Sequence, residues 1–153
     1  MPRISNIEIL EKPQQPTLHI RTITRVEDLP RLIGESYGKM ADYLKELGGF
    51  LSDVPYVAYF NMDMQHLDVE IGFPVSKSLP GKEDIQAGFI PAGKIVFCMY
   101  RGAYSKMEPV YTEMLKWIQD NNYKAIGTAY EHYYNGPGFP EDEMLTKIAM
   151  PLI

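Results

Sequence analysis

The chain has 153 residues, 45% hydrophobic and 23% charged, with a formal net charge of −5, a length and balance suited to one globular domain. The acidic charge argues against direct nucleic-acid binding, which needs a basic face, and no apolar run reaches the ~20 residues of a membrane span. MPRISNIEIL is too short of apolar residues for a signal peptide, and the single Cys98 excludes an internal disulfide, so a cytoplasmic location is expected.

The first β-favouring run is TLHIRTIT, with Leu18, Ile20 and Ile23. Tyr37, Met40, Leu44 and Leu47 then recur at three- and four-residue spacing, which predicts a helix closed by Gly48-Gly49. YVAYFN (Tyr56 to Asn61) and DVEIGFPV (Asp68 to Val75) read as two strands. The series then starts again. KIVFCMY carries Ile95, Val96 and Phe97; Tyr104, Met107, Tyr111, Met114 and Ile118 predict a second helix, stopped by Asn121-Asn122; AYEHYY and LTKIAM follow as strands. GFLSDVP, LPGKED and NGPGFPED supply turns.

The two halves echo one another. Tyr104 of GAYSKM follows Tyr37 of ESYGKM by 67 positions, Asn135 of YEHYYN follows Asn61 of YVAYFN by 74, and Pro151 of TKIAMPL follows Pro74 of VEIGFPV by 77. Three matches in one order, with slowly growing offsets, point to an internal duplication. The expectation is one α+β domain over residues 1–153, with a β-α-β-β module repeated at about 1–80 and 81–153. Two helices would lie against a mainly antiparallel sheet, related by a pseudo-twofold with a central cleft.

Two-residue alternation sorts the strand side chains. Glu131 and Tyr133 share one face of the second phrase; Val57 and Tyr59 hold the matching face of the first. Lined this way, the cleft is aromatic and apolar with one acid placed off-centre, a setting for an apolar ligand with one positive or hydrogen-donating end. The plainer readings stay open. A lone glutamate in a strand is also compatible with a solvated face, and Tyr37, Tyr104 and Trp117 with ordinary core packing.

Other chemistries find little support. His19, His66 and His132 lack metal-ligand spacing, Asp63, Asp68 and Glu70 lack the pattern of a calcium loop, and no metal or cofactor is expected. GKEDIQAG is no phosphate loop, Ser76 and Ser78 sit in no nucleophile elbow, and Cys98 falls in an apolar strand.

GAYSKMEPVYTEMLKWIQDNNY, GTAYEHYYNGP and LTKIAMPL, with the earlier DVEIGFPV, resemble the GyrI-like family from about Asn6 to the end. This family includes effector-binding domains of multidrug-responsive bacterial regulators such as BmrR and Rob. The resemblance implies a duplicated β-α-β-β fold with a central cleft that takes small hydrophobic, often cationic molecules. It places Glu131 opposite the cation, with Tyr133, Val57 and Tyr59 lining the pocket; Tyr104 and Tyr111 carry over more loosely, and Trp117 completes the aromatic candidates. With no helix-turn-helix segment, the chain looks like a stand-alone form, any DNA contact being supplied by a separate partner.

Three functions follow from the resemblance. The first is binding of lipophilic cations, for sensing or sequestration. The second is hydrolysis of cyclopropane-containing electrophiles, as in some stand-alone members, with Glu131 as general base. The third is inhibition of a topoisomerase through a protein contact, with Asp68 and Glu70 offered to a basic partner.

Overall fold

The structure is a computed structural model that describes residues 3–136 and 138–153. Met1, Pro2 and Pro137, the last inside the NGPGFPED turn, lie outside the described residues. In chain order the elements are β1 (Glu8–Lys12), β2 (Gln15–Thr24), α1 (Leu29–Glu46), β3 (Tyr56–Tyr59), β4 (Leu67–Pro74), β5 (Gln86–Ile90), β6 (Gly93–Arg101), α2 (Glu108–Asp120), β7 (Ala129–Tyr133) and β8 (Leu145–Pro151). The fold is α+β, and the strand pairs are antiparallel.

Two compact units divide the chain, one formed by Pro13–Ala92 and the other by Met1–Lys12 with Gly93–Ile153. Each contains the expected β-α-β-β series plus one further strand. In the first unit the strand order is β3-β4-β2-β5; in the second it is β1-β6-β8-β7. Both added strands are edges: β5 pairs with β2, and β1 pairs with β6. The segment before β2 is thus the outer strand beside β6, and the segment before β6 is the outer strand beside β2.

The helices form where the apolar spacing predicted, with boundaries set by local chemistry. Pro30 and Pro109 stand in the first turns of α1 and α2, where a missing N–H leaves no bond unmade. Gly48 ends α1 in the left-handed region at φ 69°, and the Gly49 amide returns to the Leu44 carbonyl at 2.9 Å. The second helix is shorter than the spacing suggested. Tyr104 lies ahead of it in a 3-10 turn, Tyr104–Lys106, and is 47% exposed.

Alternation along the strands decides which side chains meet the helices. In the second unit Val96, Cys98, Tyr100, Ile148 and Met150 cluster with Met107 and with Val110, Met114 and Ile118 of α2. In the first, Phe73 meets Tyr37 of α1 at a ring-centroid distance of 5.3 Å, and Leu18, Ile20, Val57, Val69 and Ile71 are buried. The registers match between units: Val57 faces Ile71 and Tyr59 faces Val69, as Glu131 faces Ile148 and Tyr133 faces Thr146. Among the described residues, no helix is long and apolar enough to cross a membrane.

Candidate functional site

Glu131 sits on β7 on the side that looks toward α2, because its cross-strand partner Ile148 belongs to the core under that helix. Two tyrosines converge on it. Tyr133, two residues along the same strand and therefore on the same face, donates its hydroxyl to Oε1 at 2.8 Å. Tyr111, on α2, donates to Oε2 in a short hydrogen bond that ties helix to strand.

Tyr104 extends this aromatic wall. Its ring meets that of Tyr133 edge-on, with centroids 5.2 Å apart and planes at 62°, and its hydroxyl approaches the sulfur of Met144 at 3.7 Å. Tyr104 marks the exposed side of the wall; Tyr111, Glu131 and Tyr133 are half-buried. Burial pushes the Glu131 carboxyl above the usual glutamate range, and the bonds from Tyr111 and Tyr133 draw it back in part. Burial and the Glu131 charge together raise the Tyr104 phenol. The result is a carboxylate with one donor on each oxygen, in aromatic surroundings that favour a neutral acid or a charge-compensating partner.

Four of the seven candidate residues, Tyr104, Tyr111, Glu131 and Tyr133, are thereby brought together. Trp117 lies further along α2, stacked on Tyr123 with parallel rings 6.4 Å apart and packed against the core cluster. Val57 and Tyr59 belong to β3 of the other unit, where Val57 is fully buried and Tyr59 half-buried.

Sequence reasoning missed a second acid–aromatic network, in the first unit. Glu70 accepts the hydroxyl of the fully buried Tyr56 at 2.6 Å, and its other oxygen lies 4.0 Å from Nε2 of His19. The Tyr56 and His19 rings cover Gly72 and Gly88, where a Cβ would meet them. The signal was the strand alternation itself, which puts Tyr56, Gly72 and His19 on one cross-strand row. Asp68 is gripped by Arg21 at 2.7 and 2.8 Å. Neither carboxylate offered to a basic partner therefore stands alone.

Clefts of about 340 and 150 Å³ open elsewhere in this unit, against β2 and α1; the larger is bordered by Arg25, Arg31 and His66, the smaller by Ser36 and Lys39. Among the described residues, no group of three or more histidine, cysteine or acidic side chains is placed to hold a metal.

A family model for the GyrI-like small molecule binding domain matches residues 5–153. The chain belongs to the GyrI-like family. Among curated proteins none matches it. Solved structures match over nearly its whole length. EcmrR in a DNA complex is similar at a TM-score of 0.83 and 20% identity, over 97% of this chain and 57% of that one. The EcmrR C-terminal domain by itself gives 0.79 and 20%, over 98% of both chains. The GyrI-like chain here thus spans little more than half of the EcmrR polypeptide in that complex. A hydrolase from Listeria innocua gives 0.72 and 12%, covering 100% of this chain and 94% of the other. SAV2435 bound to tetraphenylphosphonium gives 0.69 and 11%, over 97% and 94%. At these identities the likeness is one of fold.

Proposed function

We propose that this GyrI-like domain binds small hydrophobic cations, for sensing or sequestration, with Glu131 as the counter-charge and Tyr104, Tyr111 and Tyr133 as the aromatic wall. One observation carries the reading. A carboxylate sits on the helix-facing side of β7, held by two tyrosine hydroxyls, at the register where the sister strand has the fully buried Val57. An ionised acid in such a place costs stability unless a positive partner completes it, and otherwise it is driven toward its neutral form. Tyrosine faces attract cations by roughly 0.5–2 kcal/mol each. SAV2435, a protein of similar fold, is bound to a lipophilic cation, which supports the same chemistry here.

Fluorescence titration with rhodamine 6G tests the reading, comparing the natural chain with Glu131→Gln. A cation about 5 Å from the carboxylate gains roughly 3 kcal/mol at an effective dielectric near 20. The substitution should therefore weaken binding by up to about a hundredfold. Equal affinity in both proteins would remove Glu131 from cation recognition.

Hydrolysis is the second reading, favoured by the raised Glu131 carboxyl, since a general base works best with a pKa near the operating pH. The structural likeness to the Listeria innocua hydrolase supports it. Here Glu131 would take a proton from water as the water oxygen bonds to a cyclopropane carbon; the ring C–C bond breaks, and the departing carbon takes that proton back from Glu131. Turnover that disappears in Glu131→Gln while binding persists would favour this reading over simple binding.

A further inference from the structure

Thr146 stands on β8 directly across from Tyr133 and, on its other side, from Tyr100. It is fully buried, and its hydroxyl has no hydrogen-bond partner among the described residues. That is unusual: an unmet buried hydroxyl is costly, and most such groups find a partner. Nothing in the backbone demands threonine here. The matching position of the sister unit, across from Tyr59, is Val69, also fully buried and nearly the same shape.

Thr146 shares its strand face with the acid. Glu131 pairs with Ile148, two residues along β8 from Thr146, so Glu131 and Thr146 are diagonal neighbours on one face, about 7 Å apart at the backbone. Tyr133 draws the carboxylate toward this corner by its bond to Oε1. Two of four helix-facing positions on the paired strands β7 and β8 therefore differ in polarity from their sisters. Val57 and Val69 become Glu131 and Thr146, while Ile71 and Tyr59 keep their character as Ile148 and Tyr133.

We infer that Thr146 is a specificity residue of the Glu131 site: its hydroxyl accepts an N–H from a bound ammonium whose second N–H goes to Glu131, so that the preferred ligands are N–H-bearing lipophilic amines rather than quaternary cations. This rests on the cation-binding reading and names the ligand class within it. Glu131 supplies charge, which any cation satisfies, and accepts one N–H; Thr146 adds a second acceptor, which a quaternary cation leaves unmet. A site built to hydrogen-bond its ligand discriminates against the analogue that leaves the buried group unmet.

The test uses N-methyl-4-phenylbutylammonium, with two N–H groups, and 4-phenylbutyl-trimethylammonium, with none, titrated calorimetrically into the natural chain, Thr146→Val and Thr146→Ser. The natural chain should bind the secondary amine about tenfold more tightly, the scale of one hydrogen bond to a charged donor. Thr146→Val should shrink that preference severalfold, to what the N–H bond to Glu131 alone supplies, and leave the quaternary cation within about twofold, while Thr146→Ser keeps it. The valine variant should melt no lower than the natural chain, since it removes an unmet polar atom and copies Val69. An unchanged preference in Thr146→Val overturns the inference while leaving cation binding intact. Failure of the natural chain to bind either cation overturns the cation reading, and the inference with it.

Discussion

Replacing Tyr111 with phenylalanine keeps the ring that packs against the core under α2 and removes only the hydroxyl that reaches Glu131. While the acid is ionised, that bond has a charged acceptor and contributes about 1.5–3 kcal/mol; once the acid is protonated the contribution falls to about 0.5–1.5 kcal/mol. The stability difference between the natural chain and Tyr111→Phe should therefore depend on pH. Glu131 has its folded pKa raised by burial, so its neutral form is favoured in the folded state. The stability it contributes is complete below the unfolded glutamate range and is lost as pH rises through the folded pKa. Tyr111 limits that loss by stabilising the ion, so the cost of Tyr111→Phe should be small at low pH and grow as pH rises through the folded pKa of Glu131. Urea unfolding of both proteins between about pH 4 and about pH 9 measures the profile directly. A flat profile, or a cost below about 0.5 kcal/mol throughout, would refute the picture of a sheltered carboxylate held by this phenol.

One substitution and one labelling experiment probe the packing inside each unit. A Cβ at Gly72 would come within 2.5 Å of the Tyr56 hydroxyl, and Tyr56 is fully buried, so Gly72→Ala should lose about 1–3 kcal/mol by overpacking in a urea melt. A change within about 0.5 kcal/mol would mean the Tyr56 ring is free to shift. Cys98 lies under α2, where burial pushes its thiol up to about 11. A maleimide should modify it only in denaturant; fast labelling of the folded chain would show that this core opens.

Much of the fold was legible because its signals are local and doubled. The spacing Met40–Leu44 and Met114–Ile118 marked both helices, and each of these residues is buried. The edge strands were not legible. Three of the five residues in Glu8–Lys12 are charged and Gln86–Ile90 contains Gly88, and among the described residues each pairs on one side only, so neither carries the apolar alternation of a strand between neighbours. Tyr104 fits the helical spacing, yet lies outside α2. Gly102, at φ 146° beside the Tyr100 ring, and Pro109 in the first helical turn together delay the helix start. Within the site, strand alternation alone linked Tyr133 to Glu131. The Tyr111 contact needed helix and sheet to meet, and the Thr146 vacancy for a partner could be seen only with every neighbour in place.

The two networks show why the position of an acid, rather than its presence, decides what it does. Glu70 shares a cross-strand row with Ala58 and Arg21, on the opposite side of its strand from the buried Ile71 and Val69. One residue of displacement along a strand moves a side chain to the other face. There Tyr56 donates to it, with His19 close by, and the network closes within protein groups. Glu131 lies on the helix side instead, where the sister unit has valine, and among the described residues takes hydroxyl donors, from Tyr111 and Tyr133. Hydroxyls orient and partly stabilise a carboxylate, yet they leave its charge uncompensated, and burial still raises its pKa. On the proposed reading a positive ligand group completes the acid, and the unmet hydroxyl of Thr146 on the same strand face would accept an N–H from that ligand.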